Sequence, residues 1–209
     1  IHFTKGLFMK IKSKKWAGIV IGIAALCFAL AIGLGIYLHS TSQSTKPQRE
    51  THSSKITVNQ FIKTIAPIAQ KEQKKYHIPA SIIIAQAGTE SNWGRSKLAY
   101  KYNNLFGIKA TSKKNRVRMY TKENINGKTV EVKQYFTVYN SWEASLKAHA
   151  ELLAHGTEAK PNVFKDVLKA KNYQEAAQAL QKDGYATDPN YANELIYAIK
   201  KFKLYKYDQ

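Results

Sequence analysis

Ile82-Ile83-Ile84-Ala85-Gln86-Ala87-Gly88-Thr89-Glu90-Ser91-Asn92-Trp93-Gly94 is an apolar run that closes on one carboxylate. With a 3.6-residue period, Glu90 shares a helix face with Gln86, Ala87 and Ile83. Loss of solvent there favours the neutral acid, and the carbonyls exposed in a helix's last turn push the same way. An acid still protonated near neutral pH can hand its proton to a leaving oxygen, which is what glycoside cleavage requires of a general acid. The competing expectation is a glutamate at the edge of the core, hydrogen-bonded to nearby backbone.

Other chemistries find little support. His149 and His155 stand six apart, which is not the HExxH arrangement, and His77 lies beside Pro79 in a loop. These read as structural or surface residues, so no metal set and no cofactor are expected. The one cysteine, Cys27, falls in an apolar stretch, which leaves the rest of the chain without a disulfide, a thiol nucleophile or a Cys-based metal site. There is no GxSxG, P-loop or dinucleotide fingerprint.

The elements that must carry Glu90 are mostly helical. Phe61, Ile65, Ile68 and Ala69 mark one side of a helix over Thr57–Tyr76, with Pro67 expected to kink or split it. Pro79 suits the first turn of the helix that holds Glu90, and Gly94 is expected to end it. From Arg116 the period becomes two: Val117, Met119 and Thr121 alternate with polar residues, as do Val130, Val132 and Gln134 beyond Asn126-Gly127, predicting a β-hairpin. Asn140 with Glu143 resembles a capping box for a helix through Ala154 closed by Gly156. Two further helices are predicted, within Tyr173–Lys182 and from Pro189 to about Phe202. Trp93 and Trp142 read as core rather than sugar platforms.

The chain has 209 residues and a formal charge of +19. Trp16–Leu38 carries no charge over 23 residues. That is roughly 35 Å of helix, enough to cross a bilayer. Lys5, Lys10, Lys12, Lys14 and Lys15 precede it, predicting an N-terminus inside the cell and the bulk of the chain outside. Ala29-Leu30-Ala31 would suit a signal-peptide cleavage site, but the apolar run continues past it, so an uncleaved single-pass anchor is expected. Met9 with Lys10-Ile11-Lys12 reads as a more natural start than Ile1. Five lysines and no acid lie before residue 39, so +14 of the +19 belongs to the remainder. That charge favours polyanionic surroundings, cell-wall polymers and nucleic acid both qualifying, though no nucleic-acid recognition motif is present. The expected organisation is a basic segment at 1–15, an anchor at 16–38, a flexible linker at 39–55 and one domain at 56–209.

AQAGTESNWG followed by NNLFGIK resembles the glycoside hydrolase family 73 endo-β-N-acetylglucosaminidases, peptidoglycan hydrolases of the autolysin and flagellar muralytic type. The resemblance continues through Phe136–Leu153 and Asp183–Asp208, in the family's order. It implies an α+β, mostly α, lysozyme-like helical domain with one inserted β-hairpin. The expected partners are peptidoglycan glycan strands, with anionic wall polymers possible and a membrane held through residues 16–38. The family's general acid falls on Glu90. Its second carboxylate, in the hairpin before an Asn-Gly turn, falls on Glu123, with Glu131 the rival. Tyr185 matches its active-site tyrosine. Asn103, Asn104 and Phe106 match residues of its substrate groove, and Gln86 is placed with them as substrate-binding. The implied reaction is hydrolysis of the β-1,4 bond after N-acetylglucosamine. It could finish through water activated by Glu123, with inversion, or through the substrate's own N-acetyl group, with retention. A lytic transglycosylase or muramidase on the neighbouring bond, and a non-catalytic wall-binding module, are the alternatives.

Overall fold

The computed structural model describes residues 49–125 and 128–208, without the side chains of 122–129. The predicted anchor Trp16–Leu38, the basic stretch before it and residues 39–48 lie outside the described residues. Among the described residues, no helix is long and apolar enough to cross a membrane.

Thr57 starts the first helix with a capping box. Its hydroxyl accepts from the Gln60 N–H at 3.2 Å while its own N–H donates to Gln60 Oε1 at 3.0 Å. Helix α1, Val58–Tyr76, then runs unbroken through Pro67. The expected split does not occur because Pro67 lies on the exposed face, where water can satisfy the carbonyl it frees. The opposite face buries Phe61, Ile62, Ile65, Ala66 and Ala69, on both sides of the proline.

Helix α2, Ala80–Ser91, is buried at every position from Ala80 to Gly88, as befits a helix through the middle of the domain. Pro79 offers its N-terminus no side-chain cap. Asp208, at the other end of the domain, supplies one. The Ser81 N–H and hydroxyl donate to its carboxylate at 2.7 and 2.6 Å. Negative charge at a helix N-terminus is favourable, so this clasp ties the end of the chain to the central helix.

A short helix α3, Lys97–Tyr102, follows. Strands β1, Arg116–Ile125, and β2, Lys128–Thr137, pair antiparallel from Arg116↔Thr137 to Ile125↔Lys128, so the connection occupies positions 126 and 127, outside the described residues. Helix α4, Trp142–His155, is capped by Ser141, whose oxygen accepts from Ala144 N–H. The cap is thus one residue later than the Asn140 expected, because Ser141 has the extended backbone and the reach. Helices α5, Tyr173–Lys182, and α6, Tyr191–Lys201, complete the α+β, mostly helical domain, with 3-10 turns at Val167–Lys169 and Leu204–Tyr207.

The domain begins earlier than position 56. Glu50 N–H donates to Asn140 O at 2.8 Å, and the His52 ring stacks 3.7 Å from that of Trp142. Residues from Glu50 on are therefore docked, whereas the sequence reads as a flexible tether up to Lys55. Polar composition hides the backbone hydrogen bonds and the aromatic contact that fix them.

Candidate active site

Glu90 is presented by a tightly wound chain reversal. Asn92, Trp93 and Gly94 all have positive φ, at 52°, 55° and 80°. The turn folds the Trp93 ring back over Gly88, where an added Cβ would meet it at 2.6 Å. Gly94 is equally constrained, since a Cβ there would come within 2.7 Å of the Phe61 ring and 2.8 Å of Trp142. Both glycines thus set the position of Glu90 by letting large aromatics close around the helix end. Trp142 is core, as expected, with its indole N–H donating to Ala99 O. Trp93 is only half-buried, edge-on to Phe61 and Phe202, and borders an open groove.

The sequence predicts Glu90 on a buried face, and the structure corrects this. Its side chain reaches solvent. Yet protein packs about the carboxyl, and burial, followed by repulsion from Glu194 on α6, raises its pKa above the ordinary value. A group reachable by substrate but held toward its protonated form is suited to proton donation.

Beneath it lies a buried polar chain. Gln86, one turn back on α2, is fully buried. Its amide Nε2 donates to the Tyr191 hydroxyl at 2.9 Å, and its Oε1 stands 3.0 Å from His149 Nε2. With Gln86 donating to Tyr191, its oxygen faces the histidine, which assigns the proton to His149 Nε2. Burial lowers the His149 pKa to about 3, so the ring is neutral. Phe106 stacks on that ring at 3.8 Å and 8°. Gln86 is therefore a brace, and the expectation that it binds substrate is corrected.

Tyr185 is half-buried against Tyr191, His149 and Phe164, with ring centroids 5.5, 5.8 and 5.7 Å away. Burial, then Tyr191, then Glu90 push its pKa well above 10. It is a hydroxyl donor, not a phenolate. Tyr191 is raised likewise by burial, offset by the Gln86 hydrogen bond and reinforced by Glu90 and Glu194. Glu90, Tyr185, Tyr191 and Glu194 thus form one electrostatic group. The sequence gives no local sign of Tyr191 or Glu194, since both look like ordinary residues of an amphipathic helix.

Asn103 and Asn104 are also corrected. Both are buried. Asn103 closes α3 in the left-handed conformation, and its amide donates to Glu50 O and Tyr139 O. The Asn104 amide donates to Ile108 O and Thr137 O, both at 2.9 Å, while its oxygen accepts from Ile108 N–H. The pair fastens the loop to the base of the hairpin, and its one unpartnered polar atom, Asn103 Oδ1, is buried away from any sugar. Phe106, 7% exposed, is occupied by His149.

The hairpin register separates its two acids. Val117, Met119, Thr121, Val132, Gln134 and Phe136 are shielded, and Arg116, Arg118, Tyr120, Glu131, Lys133 and Tyr135 are exposed. Position 123 pairs with Val130, which is exposed, at the far end of the face that carries Val117, Met119 and Thr121, whereas Glu131 pairs with Lys122 on the opposite face. Among the described residues, no group of three or more His, Cys, Asp or Glu could hold a metal ion.

Residues 66–204 match the family described as glucosaminidase, mannosyl-glycoprotein endo-β-N-acetylglucosaminidase. The exo-glucosaminidase LytG of Bacillus subtilis is 39% identical over 188 residues, covering 90% of this chain and 67% of its own length. A probable N-acetylmuramidase of Lactococcus lactis subsp. cremoris is 36% identical over 171 residues, covering 79% of this chain and 38% of its own. The catalytic domain of the autolysin Auto from Listeria monocytogenes superposes with a TM-score of 0.67 at 33% identity, covering 81% of this chain and 96% of that domain. On these matches the chain belongs to the glucosaminidase family, glycoside hydrolase family 73.

Proposed function

We propose that the protein hydrolyses the β-1,4 bond after N-acetylglucosamine within peptidoglycan glycan strands, with Glu90 as the general acid. The carrying observation is the state of Glu90, open to solvent yet raised in pKa by burial and by Glu194. The family match supports the reaction class. Glu90 protonates the glycosidic oxygen as the bond to the anomeric carbon breaks. Tyr185, kept as a neutral phenol, donates a hydrogen bond to substrate beside it. Glu123, on the hairpin face that carries Val117, Met119 and Thr121, takes a proton from the attacking water on the opposite face of the sugar.

The names of the relatives bracket this reading, one being called an exo-glucosaminidase and another a probable N-acetylmuramidase. Mass spectrometry of muropeptides from purified walls separates them. Internal cuts that leave reducing-end N-acetylglucosamine support the proposal. Reducing-end or anhydro-muramic products, or release from chain ends alone, overturn it. The anomer first formed tests the second carboxylate, since retention would transfer its role to the substrate's N-acetyl group. No reducing ends from walls that the protein still binds would leave a binding module.

The apolar, uncharged stretch Trp16–Leu38 supports placing the enzyme at the membrane with its domain facing the wall. Fractionation after cleavage between residues 39 and 48 tests this; activity that stays with membranes contradicts it. The exposed hairpin face, with Arg116 and Arg118 over Tyr135 and Lys133 over Tyr120, supports contact with anionic wall polymers.

A further inference from the structure

We propose that the groove between the end of α2 and the outer face of α6 seats N-acetylated sugars of the glycan strand on one side of Glu90. The proposal rests on the glycan reading above and deepens it.

The groove has a volume of about 610 Å³, within the range of small-molecule sites. It begins beside the acid, because Thr89 precedes Glu90 in the chain and Glu194 is the carboxylate that acts on it. From Glu194 to Lys201 it follows α6 for about 10 Å, room for about two sugar rings. Its walls match that ligand. Tyr197 is 63% exposed on a helix whose other face buries Leu195 and Ile199. The Lys201 ammonium stands 5.3 Å from the centre of its ring and helps fix it as a platform. Trp93 forms the facing aromatic wall, held 4.5 Å from Phe202.

Polar groups are few and placed. The Asn193 Nδ2 donates to Asn190 Oδ1 at 2.9 Å, which orients the Asn193 amide and leaves its oxygen and second N–H for an N-acetyl group. Aromatic walls with one or two oriented amides are what a sugar ring needs, since it presents an apolar face and a polar edge. Tyr197 and Asn193 contribute little to the core, so replacing them should leave the domain folded.

The test is steady-state cleavage of soluble glycan strands of defined length. Tyr197→Ala should raise KM about tenfold with little change in kcat, and Asn193→Ala should raise it severalfold. Tyr197→Phe keeps the ring and should restore wild-type KM. Tyr205→Ala, an exposed tyrosine outside the groove, should have no effect. A Tyr197→Ala enzyme with wild-type KM overturns the groove alone. So does a sedimentation result in which Tyr197 mediates a dimer of this chain. A wild-type protein that releases no reducing ends overturns both the groove and the glycan reading.

Discussion

The two sides of the proposed catalytic cleft are held in different ways. Glu90 sits on the central helix, over a buried chain from Tyr191 through Gln86 to His149, with Phe106 stacked on the histidine. The hairpin that carries Glu123 has its extensive contacts between its own two strands and is fastened at its base by Asn104, Phe136 and the bonds of Ala110 and Thr137. A lone two-stranded ribbon is marginal in water. The proposed acid is therefore preset by the fold, while the carboxylate proposed opposite it is carried on a ribbon. Stability and activity should then separate by region, with the helical side governing both and the distal hairpin governing activity alone.

The largest separation should come from replacing 122–129 with a tight two-residue turn. Activity should fall by about 10²-fold or more, as expected for loss of a general base, while the melting temperature changes by no more than about 2 °C. Cooperative destabilisation of the whole domain would show that the ribbon is part of the core. Within the hairpin, Glu123→Gln should cost about 10²-fold in kcat and Glu131→Gln less than about twofold. The reverse ranking would move the base to the exposed face.

On the helical side, Gly88→Ala forces a methyl into the Trp93 ring. It should cost about 1–3 kcal/mol in denaturant unfolding and reduce activity with it. Unchanged stability would mean that the turn after Glu90 is not held by that contact. The smallest effect concerns protons. His149 is neutral in the fold with a pKa of about 3, against 6.5 for a free histidine. The unfolded chain binds the extra proton first, so stability should fall on acidification from about pH 6.5, by at most about 1.4 kcal/mol per pH unit. His149→Gln should flatten that slope by one proton, and an identical slope would place the ring outside the core.

The contrast also governs what was legible in the sequence. The helix that carries Glu90, the paired strands of the hairpin, and α5 could be read because each is a local period bounded by punctuation. Proline at 67 does not split its helix, since a local rule cannot know that the residue faces water while the opposite face buries five apolar side chains. The Asn103-Asn104 pair misled for a related reason. Amides suit both sugars and backbone, and only the fold shows carbonyls already filling them. Tyr191 and Glu194 were missed because they meet Glu90 from a helix about 100 residues away in sequence, a contact with no local signature. Asp208 capping α2 is the same kind of long-range pairing.

The most direct test is Glu90→Gln on purified peptidoglycan, with reducing-end release and thermal unfolding measured together. Folding raises the pKa of this carboxyl, so keeping it ionised at neutral pH costs stability, and the amide removes that cost. The account predicts that release falls by about 10²–10⁴-fold while the melting temperature stays equal or rises. A Glu90→Gln protein that folds and still releases reducing ends at the wild-type rate would contradict it.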